Sequence, residues 1–134
     1  MCGIFGILPN NNISPSQLHV ITNKLLQLSS SRGKDASGVA VTTSSKITIY
    51  KGSLSPQKLI KTKNYKNIFH TTPIQSIIGH ARMETNGSFY NDFNNQPIIK
   101  DDIVTIHNGI VVNDTQIWRT NYDLKRIYQV DTEI

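Results

Sequence analysis

The sequence has a single cysteine, at position 2. One cysteine cannot form a disulfide within the chain, which fits a reducing compartment, so a cytoplasmic protein is expected. The first eight residues contain no Lys or Arg, and no apolar stretch approaches the ~20 residues of a membrane-spanning helix. Neither a signal peptide nor a membrane span is therefore predicted.

Arginine is also scarce, although the formal net charge is +5. The lysines between Lys46 and Lys66 are scattered, and no zinc-finger, recognition-helix or aromatic–basic pattern accompanies them. A lysine-coated soluble surface is therefore favoured over a nucleic-acid-binding module, which a flat salt dependence of DNA or RNA binding would dismiss. No cluster of Cys and His predicts a metal site, and no cofactor is predicted.

The composition is that of one globular domain. The 134 residues are 37% hydrophobic and 17% charged, with ordinary amounts of Gly and Pro. This length supports one compact domain with its own core and is too short for two. We therefore expect a single domain over residues 1–134.

The apolar pattern predicts a mixed architecture of helices and strands. Ser14, Pro15 and Gln17 form a helix start with a capping box. The apolar residues that follow recur at helical spacing and are expected to form the buried face of this helix: Leu18, Ile21, Leu25 and Leu28.

Strands are predicted at the start of the chain, in a hairpin over residues 39–50, within 74–83, and as a short buried strand at 103–106. Further helices are predicted over residues 55–68 and 115–121, and the last ten residues as a strand edge. This order indicates the α+β class, with an antiparallel sheet and helices on its faces.

Cys2 stands where removal of Met1 would make it the first residue. An N-terminal cysteine carries a thiol nucleophile and an α-amine with a pKa of about 8, which can serve as the base for that thiol. Taken alone this is weak evidence, because a lone cysteine is more often a small buried apolar residue.

Other residues have a chemical and a structural interpretation of the same kind. The pair Asn108-Gly109 offers an amide and an unobstructed N–H to an oxyanion, or simply forms a turn. Arg82 can bind a carboxylate, but it is more often part of a surface ion pair. His80 and His107 are expected to be histidines with satisfied core contacts rather than catalytic groups.

Five segments together resemble the class II glutamine amidotransferase domain, the N-terminal-nucleophile glutaminase unit of glucosamine-6-phosphate synthase, amidophosphoribosyltransferase and asparagine synthetase. They are M-C-G-I-F-G-I (1–7), R-G-K-D-A-S-G (32–38), G-H-A-R-M-E-T-N-G (79–87), H-N-G-I-V-V-N (107–113) and D-T-E (131–133). The resemblance spans the whole chain and is strongest to the glucosamine-6-phosphate synthase branch. It implies the four-layer α/β/β/α sandwich of N-terminal-nucleophile hydrolases, of which this chain is expected to form the first part.

The resemblance also implies a reaction, the hydrolysis of the side-chain amide of L-glutamine. By position, Cys2 matches the nucleophile, its α-amine matches the general base, and Asn108 with Gly109 matches the oxyanion hole. The ammonia released would pass to an acceptor synthase domain or subunit. The alternative is a truncated homologue with weak or no activity that binds glutamine or a partner protein.

The substrate-binding residues follow from the same resemblance. Arg82 matches the residue that binds the α-carboxylate of glutamine, and Thr85 and Asn86 line the same loop. Asp131 matches the acceptor for the ammonium group of glutamine. Arg32 matches an arginine with a structural role in the loop around the site.

The chain departs from the family pattern at three points. Met83 stands where the nearest relatives carry an aromatic residue, and Asn86 replaces a histidine. The family domain also continues beyond the D-T-E segment, whereas this sequence ends there, so an incomplete domain that can self-associate is expected.

Overall fold

The computed structural model describes residues 1–10, 12–70, 73–85, 87–121 and 123. Within this part, a four-stranded antiparallel sheet has the order β1-β4-β2-β3. Its strands are β1 (Gly3–Ile7), β2 (Ala36–Thr43), β3 (Ile47–Gly52) and β4 (Ile74–Arg82). The predicted first strand, the hairpin and the strand within 74–83 are confirmed.

The helix predicted after Ser14 is confirmed as α1 (Pro15–Ser29). Ser14 accepts from the backbone N–H of Gln17, and the Gln17 side chain accepts from the backbone N–H of Ser14. This reciprocal pair of hydrogen bonds satisfies two backbone N–H groups that would otherwise have no partner in the first turn of the helix.

The buried face of α1 differs from the one predicted. Leu18, Thr22 and Leu26 are buried, whereas Ile21 is 39% exposed and Leu28 is 58% exposed. Thr22 can enter the core because its hydroxyl donates to the Leu18 carbonyl at 2.7 Å, which leaves no unsatisfied polar group. Both the predicted set and the observed set of residues have helical spacing, and the sheet packs against the observed set.

The helix predicted over residues 55–68 is two short helices, α2 (Pro56–Leu59) and α3 (Lys63–Asn67), followed by a 3₁₀ turn (Ile68–His70). Thr62 causes the break, because its side chain accepts from the backbone N–H of Tyr65 and so begins a new helix. The predicted final helix is present as α4 (Asp114–Thr120).

Among the described residues, one hydrophobic core lies between the four-stranded sheet and helices α1 to α3. Each large apolar side chain buried there contributes on the order of 2 kcal/mol relative to exposure. The core residues are Leu18, Leu26, Val39, Val41, Leu59, Tyr65, Ile68, Phe69 and Ile77. Because side chains alternate along a strand, the residues next to Val39, Val41 and Ile77 point to the opposite face of the sheet.

A second, two-stranded sheet is formed by β5 (Ile98–Lys100) and β6 (Ile103–Thr105). The sequence predicted β6 as a buried strand, but Ile103 is 69% exposed, because β5 is the only strand paired with β6 among the described residues. The mixture of helix and antiparallel sheet confirms the α+β class. No helix in the described ranges is long and apolar enough to cross a membrane.

Candidate active site

The register of β1 against β4 places Cys2 at the end of β4. Gly3 pairs with Ala81, so the residue before β1 lies opposite the residues after Ala81. The backbone N–H of Met83 donates to Cys2 Sγ at 3.4 Å, and the thiol lies 3.6 Å from the Met83 carbonyl, which can accept from it. The thiol is therefore held by backbone groups rather than buried in the core.

Asn108 reaches Cys2 from the loop that follows β6. The backbone N–H of Cys2 donates to Asn108 Oδ1 at 2.9 Å. Because Oδ1 faces the Cys2 nitrogen, the two N–H groups of the Asn108 amide lie on the other side of that side chain. A Cβ atom on the next residue, Gly109, would stand 2.7 Å from His107 Nε2, so the His107 ring lies close against Gly109.

A cavity of about 380 Å³ opens beside Cys2 and Asn108. Leu25 and Leu28, two of the residues predicted to form the buried face of α1, line this cavity. Arg32 also lines the cavity, and its Nη2 lies 3.7 Å from Met1 Sδ. Larger cavities, of about 470 and 590 Å³, lie around the start of α1, and none of the predicted site residues that the structure describes lines them.

Arg82 is buried, with 4% of its surface exposed. Its guanidinium donates to Asn95 Oδ1 at 2.9 Å and to the carbonyl of Gly87. Arg82 thus ties the end of β4 to the segment that follows it, next to Cys2. Binding of a substrate carboxylate by Arg82 stays a prediction, and it would require the guanidinium to serve protein and substrate together.

Asn95 is held from a second side by Lys51. Lys51 Nζ donates to the Asn95 carbonyl at 2.5 Å. Burial lowers the pKa of Lys51 to about 8, although the nearby Asp92 carboxylate acts in the opposite direction. A short polar run such as Asn94-Asn95 favours a turn and carries no sign of burial in the sequence.

Asp35 supports the candidate site, although its sequence context gives no separate sign of this role. Its Oδ2 accepts from the backbone N–H of Glu84 at 2.8 Å, and its own N–H donates to the Arg82 carbonyl at 3.0 Å. The available signal was its place in the R-G-K-D-A-S-G segment. Asp35 therefore binds the backbone on both sides of Met83, and the backbone of Met83 contacts the thiol of Cys2.

His80 is fully buried, on the sheet face away from the core. Its Nε2 lies 3.2 Å from the carbonyl of His107, whereas Nδ1 has no hydrogen-bond partner within the described part of the chain. The expectation of a satisfied histidine is therefore correct for one ring nitrogen only. Burial lowers the pKa of His80 to about 4; the bond to His107 opposes this, while Arg82 and the His107 ring reinforce it.

The other predicted residues are placed as follows. Thr85 is exposed in the loop after β4. Asn86, Asp131 and the last ten residues lie outside the described residues, so their predicted roles stay predictions. Among the residues described, no group of three or more His, Cys, Asp or Glu could hold a metal ion.

Comparison with known proteins gives similarity along the whole chain. A glutamine–fructose-6-phosphate aminotransferase [isomerizing] of Pyrococcus horikoshii is 33% identical over 99% of this chain, and one of Mesorhizobium japonicum is 31% identical over 100% of it. A 7-cyano-7-deazaguanine synthase of Sulfolobus acidocaldarius is 26% identical over 100% of the chain. The chain spans 21% of the length of the first two proteins and 29% of the third. No protein-family model matches the chain.

Proposed function

We infer that the chain carries out the glutaminase half-reaction of a class II glutamine amidotransferase. The similarity described above confirms the resemblance to this family of domains. The proposed reaction is hydrolysis of the side-chain amide of L-glutamine through a thioester at Cys2. The full domain is proposed to be an N-terminal-nucleophile sandwich, and the protein to work in the cytoplasm without a cofactor.

The observation that carries this proposal is the bond between the Cys2 nitrogen and Asn108 Oδ1, at 2.9 Å. It joins residues from opposite ends of the described chain, the candidate nucleophile and the candidate oxyanion donor, beside one cavity. A free amine at Cys2 would keep a donor bond to Oδ1, which would leave its lone pair to accept the thiol proton. The amide N–H groups of Asn108 would remain available to substrate.

The steps follow from these groups. The α-amine takes the thiol proton, Cys2 Sγ bonds to the carboxamide carbon, and negative charge develops on the carbonyl oxygen. The Asn108 amide and the Gly109 N–H are proposed to stabilise that oxyanion. The C–N bond then breaks, ammonia leaves with the proton from the amine, and water hydrolyses the thioester to give glutamate and the free thiol.

Substrate selection is proposed to use both charged ends of glutamine. Arg82 with Thr85 and Asn86 would bind the α-carboxylate end, and Asp131 would accept from the ammonium group. The ammonia is proposed to pass to a synthase domain or subunit. The similarity to two proteins named glutamine–fructose-6-phosphate aminotransferase supports this proposal.

The test is ammonia release from L-glutamine, with the N-terminus of the protein identified by mass spectrometry. We expect release only from molecules that lack Met1, because a peptide nitrogen at Cys2 is not a base. Removal of Met1 in vitro with an aminopeptidase should convert an inactive sample to an active one. Equal rates with and without Met1 would refute the amine as the base.

A matched variant checks the nucleophile. Cys2→Ala in the trimmed protein should abolish ammonia release without altering the unfolding temperature, because residue 2 precedes β1 and is not part of the core. Activity in that variant would exclude the thioester route.

The alternative is a homologue that binds glutamine or a partner protein with weak or no hydrolysis. It draws on Arg82, whose guanidinium already donates to two protein acceptors, so that a substrate carboxylate would compete with them and productive binding would be weaker. Calorimetric binding of glutamine to the trimmed protein, combined with no ammonia release, would favour it.

A further inference from the structure

The residue before Asn108 is held at both of its backbone polar groups by buried side chains. The carbonyl of His107 lies 3.2 Å from Nε2 of His80, which is fully buried. The N–H of His107 donates to Oε1 of Gln96, which is 7% exposed. Asn108 itself is exposed and has no such enclosure, so its position depends on the residue that precedes it.

The direction of the His80 bond follows from its partner. A carbonyl oxygen can only accept, so His80 Nε2 must carry the hydrogen. In a neutral ring Nδ1 is then an acceptor without a proton, and that atom has no partner within the described residues. A positively charged ring would instead bury an unpaired N–H close to Arg82, and burial holds the pKa of His80 low.

The geometry points to His80 as a positioning residue for the proposed reaction: its Nε2–H holds the His107 carbonyl and thereby places the Asn108 amide beside Cys2. The inference rests on the proposed function, because it gives His80 a role in building the oxyanion hole. His80 touches neither Cys2 nor the cavity beside it, so it acts through the backbone.

The neighbouring contacts give this bond its effect. The His107 ring packs against Gly109, where an added Cβ would stand 2.7 Å from Nε2. His107, Asn108 and Gly109 therefore form one compact unit, held to the sheet through His80 and to the buried segment at Gln96. Loss of either bond should let the whole unit shift away from Cys2.

Three variants of the full chain separate positioning from general stability. His80→Leu removes the donor at similar size, and His80→Gln keeps an N–H donor on a side chain that can reach the same carbonyl. Ile77→Val is the matched control, since Ile77 is a fully buried residue of the same strand that belongs to the core on the helix side.

Glutaminase assays on the trimmed proteins should show a loss in kcat rather than in KM. A catalytic group displaced by about 1 Å costs up to ~10²-fold, so His80→Leu should lower kcat by ~10- to 10²-fold with KM changed less than about 2-fold. His80→Gln should recover most of kcat, and Ile77→Val should keep all of it. A kcat for His80→Leu equal to that of Ile77→Val would overturn the proposal.

Two further measurements do not depend on activity, so they separate this inference from the proposed function. Hydrogen exchange of the backbone at residues 105–110 should increase in His80→Leu and stay unchanged in Ile77→Val. Nitrogen-15 NMR of the wild-type ring should show the Nε2–H tautomer. An Nδ1–H tautomer would overturn the proposal even if His80→Leu fails to fold. If the wild type releases no ammonia while both measurements give the expected result, the proposed function fails and the His80 contact stands.

Discussion

Gly33, in the R-G-K-D-A-S-G segment, should be sensitive to substitution, because it touches the backbone of β4. A Cβ atom added there would lie 2.4 Å from the Ala81 oxygen and 2.4 Å from the Arg82 carbonyl carbon. Ordinary van der Waals contact begins near 3.4 Å, so the loop at Gly33 and strand β4 would have to separate by about 1 Å. No flexible side chain is there to move aside.

The magnitude has two parts. Overpacking of this kind costs ~1–3 kcal/mol. The displacement would also stretch the bond between the Asp35 N–H and the Arg82 carbonyl, worth ~1 kcal/mol. Gly33→Ala should therefore lower the free energy of unfolding by about 2–4 kcal/mol, or the unfolding temperature by roughly 10 °C.

Gly6→Ala is the matched control. A Cβ there would have its nearest neighbour at 3.9 Å, so it fits without movement. Because alanine restricts the unfolded chain more than glycine does, this variant should be neutral or more stable by up to ~1 kcal/mol. Thermal and urea unfolding followed by circular dichroism would measure both variants. A Gly33→Ala protein as stable as Gly6→Ala would refute the close approach between Gly33 and β4.

Three further outcomes are expected. The pKa of His80 is lowered from 6.5 to about 4, so the unfolded chain takes up a proton at a higher pH than the folded one. The free energy of unfolding should therefore fall by about 2 kcal/mol between pH 7.5 and pH 5. Urea unfolding of the wild type and His80→Gln would measure this, and an equal loss in both proteins would contradict it. Asn108→Ala should lower kcat by ~10²–10³-fold with a smaller effect on KM, whereas a pure KM effect in steady-state assays would place Asn108 in substrate binding. Arg82→Lys should lower the unfolding temperature as well as activity, because one ammonium cannot reproduce the separate bonds to Asn95 and Gly87; a change in KM alone would assign Arg82 to substrate binding only.

The sequence predicted the elements that depend on local chemistry. The capping box at Ser14 and the hairpin of β2 and β3 arise from residues close together in the chain, so their signals are local. The buried face of α1 could not be predicted in the same way, because Ile21 and Leu26 both lie on stripes with helical spacing. Only the position of the sheet decides which stripe is covered.

The candidate site was predictable for a different reason. Its motifs are contiguous and can be compared with a family residue by residue, which locates Cys2 and Asn108 without any knowledge of the fold. The contacts that support them are not contiguous. Asn95 lies 13 residues from its partner Arg82, and His80 lies 27 residues from its partner His107, so neither contact has a local signal.

These contacts explain why the motifs contain residues with no chemical role. Asp35 binds the backbone on either side of Met83, and the backbone of Met83 contacts the thiol of Cys2 from both its N–H and its carbonyl. A change at Asp35 would therefore reach Cys2, the proposed nucleophile, through one intervening residue. Since both groups that hold the thiol belong to the backbone, the side chain of residue 83 is free to vary. Methionine at this position is therefore compatible with an intact Cys2 site, and its effect should fall on the packing of the loop after β4.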